Sequence, residues 1–109
     1  MKSFIKICGI TNFEDAEIAV QYGVNAIGFN LFNKSKRLIP LDKIVNICND
    51  LSDDIEVFLL FVNQEREFVA DCLKKLPTAI PQFHGDETKE YCESFGRDYV
   101  KAIRVNKDT

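Results

Sequence analysis

The sequence predicts an α/β domain built on a parallel sheet. Short apolar runs of strand length alternate with stretches whose apolar residues recur at helical spacing. The runs start near positions 4, 25, 56, 79 and 99, so successive units are 20 to 31 residues long. That length holds a strand, a helix and two short loops. No hairpin signal joins any two runs, and a repeated βα pattern without hairpins gives a parallel sheet with right-handed crossovers.

The first strand is "FIKIC" (4–8). A helix follows, with Asn12 as its N-cap, Glu14 and Asp15 in the first turn, and Gly23 as its stop. Phe13, Ala16, Ala19 and Val20 share one face. "NAIGFNLF" (25–32) is the second strand, and "NKSKRLIP" is a loop. Pro40 opens a helix that runs to about Leu51, with Leu41, Ile44, Val45, Cys48 and Leu51 inward. "EVFLLFV" (56–62) is apolar almost without break, as a strand covered on both faces should be. Asn63 is expected to cap the third helix, with Phe68, Val69, Cys72, Leu73 and Leu76 as its stripe. The fourth strand is "AIPQFHG" (79–85), where Pro81 interrupts the ladder and moves the expected start to Gln82. Asp86 is expected to cap a helix bearing Tyr91, Cys92 and Phe95 and ended by Gly96; "YVKAIRV" (99–105) is the fifth strand.

Two closures fit this march: an open doubly wound sheet or a (β/α)8 barrel. No G-x-G-x-x-G follows the first strand, which removes local support for a dinucleotide fold. A barrel needs roughly 200 residues or more, and 109 are present. The layout therefore predicts four βα units and a fifth strand, the N-terminal half of a longer protein or a chain cut short.

Composition narrows the function. A net charge of -3, with "KSKR" (34–37) as the one basic cluster, argues against a nucleic-acid footprint. No apolar run reaches membrane-spanning length, and no signal peptide is visible, which predicts a cytoplasmic protein. The cysteines stand at 8, 48, 72 and 92 without C-x-x-C spacing, beside a single histidine, so neither a zinc site nor a disulfide framework is expected. Cys48, Cys72 and Cys92 fall in helical apolar stripes and read as small buried hydrophobes.

In parallel βα arrays the functional groups gather at the C-terminal ends of the strands. Those ends carry Cys8, Asn30 with the loop to Arg37, Asn63, His84 and the region of Arg104. Cys8 can serve as nucleophile, general base or plain rim residue. His84 can orient a substrate or close the strand end. Arg37 can grip a carboxylate with its planar fork or sit in a solvated loop.

Four stretches then coincide in order: "KICGIT", "GFN-F-KSKR", "FVN" and "QFHGDE". Together they resemble the phosphoribosylanthranilate isomerase family, whose pattern is KICGIT, GFxFxxxSxR, VFVN and QLHG. The resemblance implies a (β/α)8 TIM barrel, with residues 1–109 as the N-terminal half of one barrel domain. It implies an Amadori rearrangement of tryptophan biosynthesis, from N-(5′-phosphoribosyl)anthranilate to 1-(2-carboxyphenylamino)-1-deoxyribulose 5-phosphate, with no metal or organic cofactor. Carried over residue by residue, Cys8 is the general base, Arg37 lies near the anthranilate carboxylate, and His84 lines the substrate pocket. The family's acid, an aspartate ending the sixth strand, and its phosphate loops lie beyond residue 109. Asp86 and Glu87 match loop positions and are not that acid. The resemblance also implies a small phosphoribosyl substrate as partner, a monomer or homodimer, and in some members fusion to another enzyme of the pathway. These expectations make the chain alone inactive. A non-catalytic half-barrel that assembles with a second copy remains as the alternative, and a sugar-phosphate epimerase is disfavoured by "KICGIT" and "KSKR".

Overall fold

The computed structural model describes residues 4–32 and 38–103. Its elements run β1 (Lys6–Cys8), α1 (Phe13–Gln21), β2 (Ala26–Asn30), α2 (Leu41–Asn49), β3 (Glu56–Phe61), α3 (Arg66–Lys75), β4 (Ile80–Phe83), α4 (Lys89–Glu93) and β5 (Val100–Lys101). All four strand pairings are parallel, in the order β1-β2-β3-β4-β5. Strand order equal to chain order is the winding of a barrel wall rather than of a doubly wound sheet, whose order reverses at a switch point.

The register separates two faces, because paired residues in a parallel ladder point the same way and alternate along each strand. One face carries Ile27, Phe29, Leu59, Phe61 and Phe83, all fully buried. Ala16 and Ala19 of α1, Ile44 and Ile47 of α2, Val69, Cys72 and Leu73 of α3, and Cys92 of α4 join them in one core. Phe83 is the hub of an aromatic cluster, stacked on Phe61 (6.0 Å) and Phe95 (5.8 Å), with Tyr91 edge-on at 5.7 Å. The opposite face carries Lys6, Cys8, Gly28, Asn30, Phe58, Leu60 and Gln82. The helices therefore cover one side, and the candidate chemistry lies on the other.

The α1 cap matches its expectation: Asn12 Oδ1 accepts from the Asp15 N–H at 2.7 Å, and Gly23 takes a left-handed turn (φ 83°) after the helix. Two expected caps are corrected. The α3 N-cap is Glu65. Asn63 instead sits in the left-handed region (φ 51°) and spends its side chain on the loop after β4. Thr88, not Asp86, caps α4, accepting from Tyr91 N–H at 3.1 Å. The Asp86 N–H is already held by Asn63.

Strand four starts at Ile80 rather than Gln82, and Pro81 pairs with Leu59 in full register. His84 N–H donates to Phe61 and Ala102 N–H donates to the Phe83 carbonyl. By alternation, the nitrogen of residue 81 faces β5, one residue before that ladder opens at Gln82–Val100. The missing donor thus faces no partner strand, so the proline is tolerated. Strand five is shorter than expected, and Arg104 lies outside the described residues.

Cys72 and Cys92 are buried and Cys48 half-buried, in line with their reading as small hydrophobes. Burial pushes the Cys48 and Cys72 thiols up to about 11. Phe68 departs from its stripe: it is 41% exposed, though its ring still meets Phe61 edge-on at 6.3 Å.

Candidate active site

Cys8 is the last residue of β1, on the face away from the helices, and it is solvent-exposed. Its neighbour in register is Gly28. A Cβ at position 28 would lie 2.9 Å from Cys8 Sγ, closer than carbon and sulfur tolerate. Glycine here gives the thiol its place on the concave face. After Cys8 the chain turns through Gly9 (φ 84°), whose N–H donates to the Gly28 carbonyl at 3.0 Å.

His84 follows β4 directly and is half-buried. Its Nε2 is hydrogen-bonded to the Gln82 side-chain amide nitrogen. The Gln82 side-chain oxygen accepts from the Lys6 ammonium. That ammonium also stands 4.0 Å from the centre of the Phe58 ring, a cation–π contact. Lys6, Gln82 and His84 thus form a polar line across the concave face from β1 to the end of β4. Cys8 and His84 share that face on strands separated by β2 and β3.

The loops after β3 and β4 are locked to each other. Asn63 Oδ1 accepts from Asp86 N–H at 2.7 Å. Glu87 accepts from Asn63 N–H and from Gly85 N–H, each at 2.8 Å. Lys101 Nζ lies 3.3 Å from the Glu87 carboxylate and donates to the Gly85 carbonyl. Only 3% of the Glu87 side chain and 24% of the Lys101 side chain are exposed. Burial alone would raise the Glu87 pKa, but the donors from Asn63, Gly85 and Lys101 outweigh it and hold the carboxyl below its ordinary 4.5. A Cβ at Gly85 would lie 2.4 Å from Asn63 Oδ1, so this crossing needs glycine. A recess of about 430 Å³ opens beside the lock, lined by Val62, Asn63, His84, Glu87, Lys101 and Ala102.

Of the expected site residues, the structure sets Cys8 and His84 on one face, and Arg37 lies outside the described residues. Pattern reading passed over Lys6, Gln82, Glu87 and Lys101 as site residues. The visible signal was a lysine inside an apolar strand and a glutamine two residues before His84, both on inward positions. Among the described residues, no group of three or more His, Cys, Asp or Glu is arranged to hold a metal ion, and no helix is long and apolar enough to cross a membrane.

The sequence profile of the family described as N-(5′-phosphoribosyl)anthranilate (PRA) isomerase matches residues 5–109. The chain belongs to this family. The N-(5′-phosphoribosyl)anthranilate isomerase of Azotobacter vinelandii is 46% identical over 100 residues, covering 92% of this chain and 48% of the relative. That of Legionella pneumophila (strain Corby) is 37% identical over 99 residues, covering 91% and 48%. The crystal structure of the Thermotoga maritima isomerase superposes with a TM-score of 0.91 at 35% identity, covering 98% of this chain and 53% of that one. A solved isomerase in complex with reduced 1-(o-carboxyphenylamino)-1-deoxyribulose 5-phosphate gives the same TM-score and identity, over 56% of its chain. The chain thus spans about half the length of the isomerases it matches. Its fold class is that of these (β/α)8 proteins, of which it holds four βα units and a fifth strand.

Proposed function

We propose that this chain forms the N-terminal half of a single (β/α)8 barrel domain of a cytoplasmic phosphoribosylanthranilate isomerase, acting in tryptophan biosynthesis. Its substrate is N-(5′-phosphoribosyl)anthranilate. The observation that carries the reading is Cys8, a thiol ending β1 on the helix-free face of a chain of this family.

The chemistry follows from what such a group can do. Ring opening of the phosphoribosyl unit leaves a C1′=N iminium, which makes the C2′ proton acidic. Cys8, as thiolate, takes that proton. The C2′–H electron pair forms a C1′=C2′ double bond, and the C=N pair moves onto nitrogen. The resulting enol gives up its O2′ proton and takes one at C1′, which yields the 2′-ketone. A proton bound to carbon beside an iminium needs only a modest base, which a thiolate provides. Arg37 offers the planar fork that suits the anthranilate carboxylate. His84 and the adjoining recess form a wall of the pocket. The acid that protonates the ring oxygen, and the phosphate anchor, belong to the other half of the barrel.

The test joins the chain to the half of the Azotobacter relative that it does not cover. The chain alone should not convert N-(5′-phosphoribosyl)anthranilate, whereas the hybrid should. In the hybrid, Cys8→Ser should lower turnover by about 10²–10⁴-fold, the range for a general base. A folded hybrid whose turnover ignores that substitution would remove Cys8 from the reaction.

A second reading is favoured by the outer strands, where Phe4, Ile5 and Ile7 near β1 and Val100 and Ile103 near β5 are exposed. Such edges suit a half-barrel that closes against another copy without catalysis. A monomer in sedimentation at all concentrations tells against it.

A further inference from the structure

The two oxygens of the Glu87 carboxylate hold different loops. Oε2 accepts from the Asn63 N–H, on the loop after β3. Oε1 accepts from the Gly85 N–H, on the loop after β4, and Lys101 Nζ of β5 stands 3.3 Å from that same oxygen. One carboxylate thus ties the ends of three neighbouring strands. Asn63 presents its N–H from a left-handed backbone, which residues with a Cβ seldom hold unless their surroundings fix it. The tie lies outside the apolar core, on the rim of the recess lined by Asn63 and His84. A buried ion pair is a weak source of stability, because apolar residues of like volume often serve as well. What it adds is direction, since each donor must meet its own oxygen. With 3% of its side chain exposed, Glu87 does not itself reach a ligand.

We propose that Glu87 is a positioning residue: by giving one oxygen to each loop it fixes the width of the recess between Asn63 and His84, and with it the fit of the phosphoribosylanthranilate substrate. The fit to substrate rests on the isomerase reading, whereas the two-loop tie does not.

Glu87→Gln keeps the shape but offers a single oxygen. Its NH₂ would stand against a backbone N–H, donor against donor. Lys101 draws the remaining oxygen to the Gly85 side, so the Asn63 tie is the one lost. In the ¹³C,¹⁵N-labelled chain, through-hydrogen-bond couplings should join the Asn63 and Gly85 amides to the one Glu87 carboxyl carbon. In Glu87→Gln only Gly85 should keep its coupling. A wild-type chain without both couplings overturns the tie, and so does an Asn63 coupling that survives in the variant. In the hybrid with the Azotobacter half, Glu87→Gln should raise KM roughly 10-fold at constant kcat, the scale of one charge-assisted hydrogen bond withdrawn from the pocket wall. Partial unfolding would instead lower the apparent kcat and leave KM alone. Should that variant fail to fold, Glu87→Leu with Lys101→Met removes both charges together and should raise KM likewise. An unchanged KM in a folded variant overturns the positioning role and leaves the isomerase reading intact. A folded wild-type hybrid without turnover defeats the isomerase reading, and the couplings then decide the tie alone.

Discussion

At the scale of single residues, the site depends on what is missing beside Cys8. Gly28 leaves the space that Sγ occupies, and the nearest conflict of an added methyl is with a side-chain atom that can rotate away. Gly28→Ala should therefore disturb the thiol more than the fold. We expect a stability loss within the roughly 1–3 kcal/mol usual for overpacking. The rate of Cys8 alkylation by iodoacetamide should change clearly, in a chain whose other cysteines are buried or half-buried. An unchanged alkylation rate would mean that the thiol does not use the space over Gly28. The placement of Cys8 and His84 at strand ends was legible in the sequence, because the apolar runs that they follow mark where each strand stops. Lys6 and Gln82 were not, because their partnership joins residues 76 positions apart and exists only after the sheet has curved.

At the scale of elements, local signals were legible where they act alone. Both Asn12 side-chain bonds stay within its own helix turn, Oδ1 on the Asp15 N–H and Nδ2 on the Asp15 carboxylate, and it caps α1 as its type predicts. Asn12→Ala should cost about 1 kcal/mol in chemical denaturation. Asn63 has equally good capping chemistry, but a tertiary contact claims its side chain and Glu65 becomes the α3 cap, while Thr88 rather than Asp86 caps α4. The lock around Glu87 has a pH signature with a definite sign. Its carboxyl is held below 4.5 in the folded chain. Its contribution is therefore complete above the unfolded value and fades as pH falls through the folded one. Urea midpoints measured from pH 7 down to 3 should fall in the acid range, and less steeply in Glu87→Gln. At neutral pH that variant should lose about 3 kcal/mol, the lower end for breaking a buried pair, because Lys101 keeps some access to water. Equal acid slopes in the two proteins would exclude Glu87 as the source.

At the scale of the whole molecule, the parallel sheet was legible because βα spacing fixes it, whereas strand order was not, because both a barrel wall and a doubly wound sheet fit that spacing and the family resemblance chose between them. The short β5 was not: "YVKAIRV" has strand composition throughout, yet among the described residues the ladder with β4 covers only Val100 and Lys101. Exposed Phe4, Ile5 and Ile7 on one side, and Val100 and Ile103 on the other, leave both outer strands apolar. The chain should self-associate as concentration rises, and Ile5→Lys should weaken that association in sedimentation velocity. Association unaffected by the charge would place the contact elsewhere.

The Lys6 side chain also has a mechanical meaning. A curved sheet is an arc, and hydrogen bonds between neighbouring strands fix its length but leave its bend soft. Lys6 runs from the first strand to Gln82 on the fourth, as a chord across that arc. Cutting the chord with Lys6→Met leaves every ladder bond in place but removes the cross-tie that limits flattening. The amides of β1, at the end of the arc, should then exchange with solvent faster than those of β3 at its centre. In this sheet one long side chain, laid over the Phe58 ring, ties the first strand to the fourth.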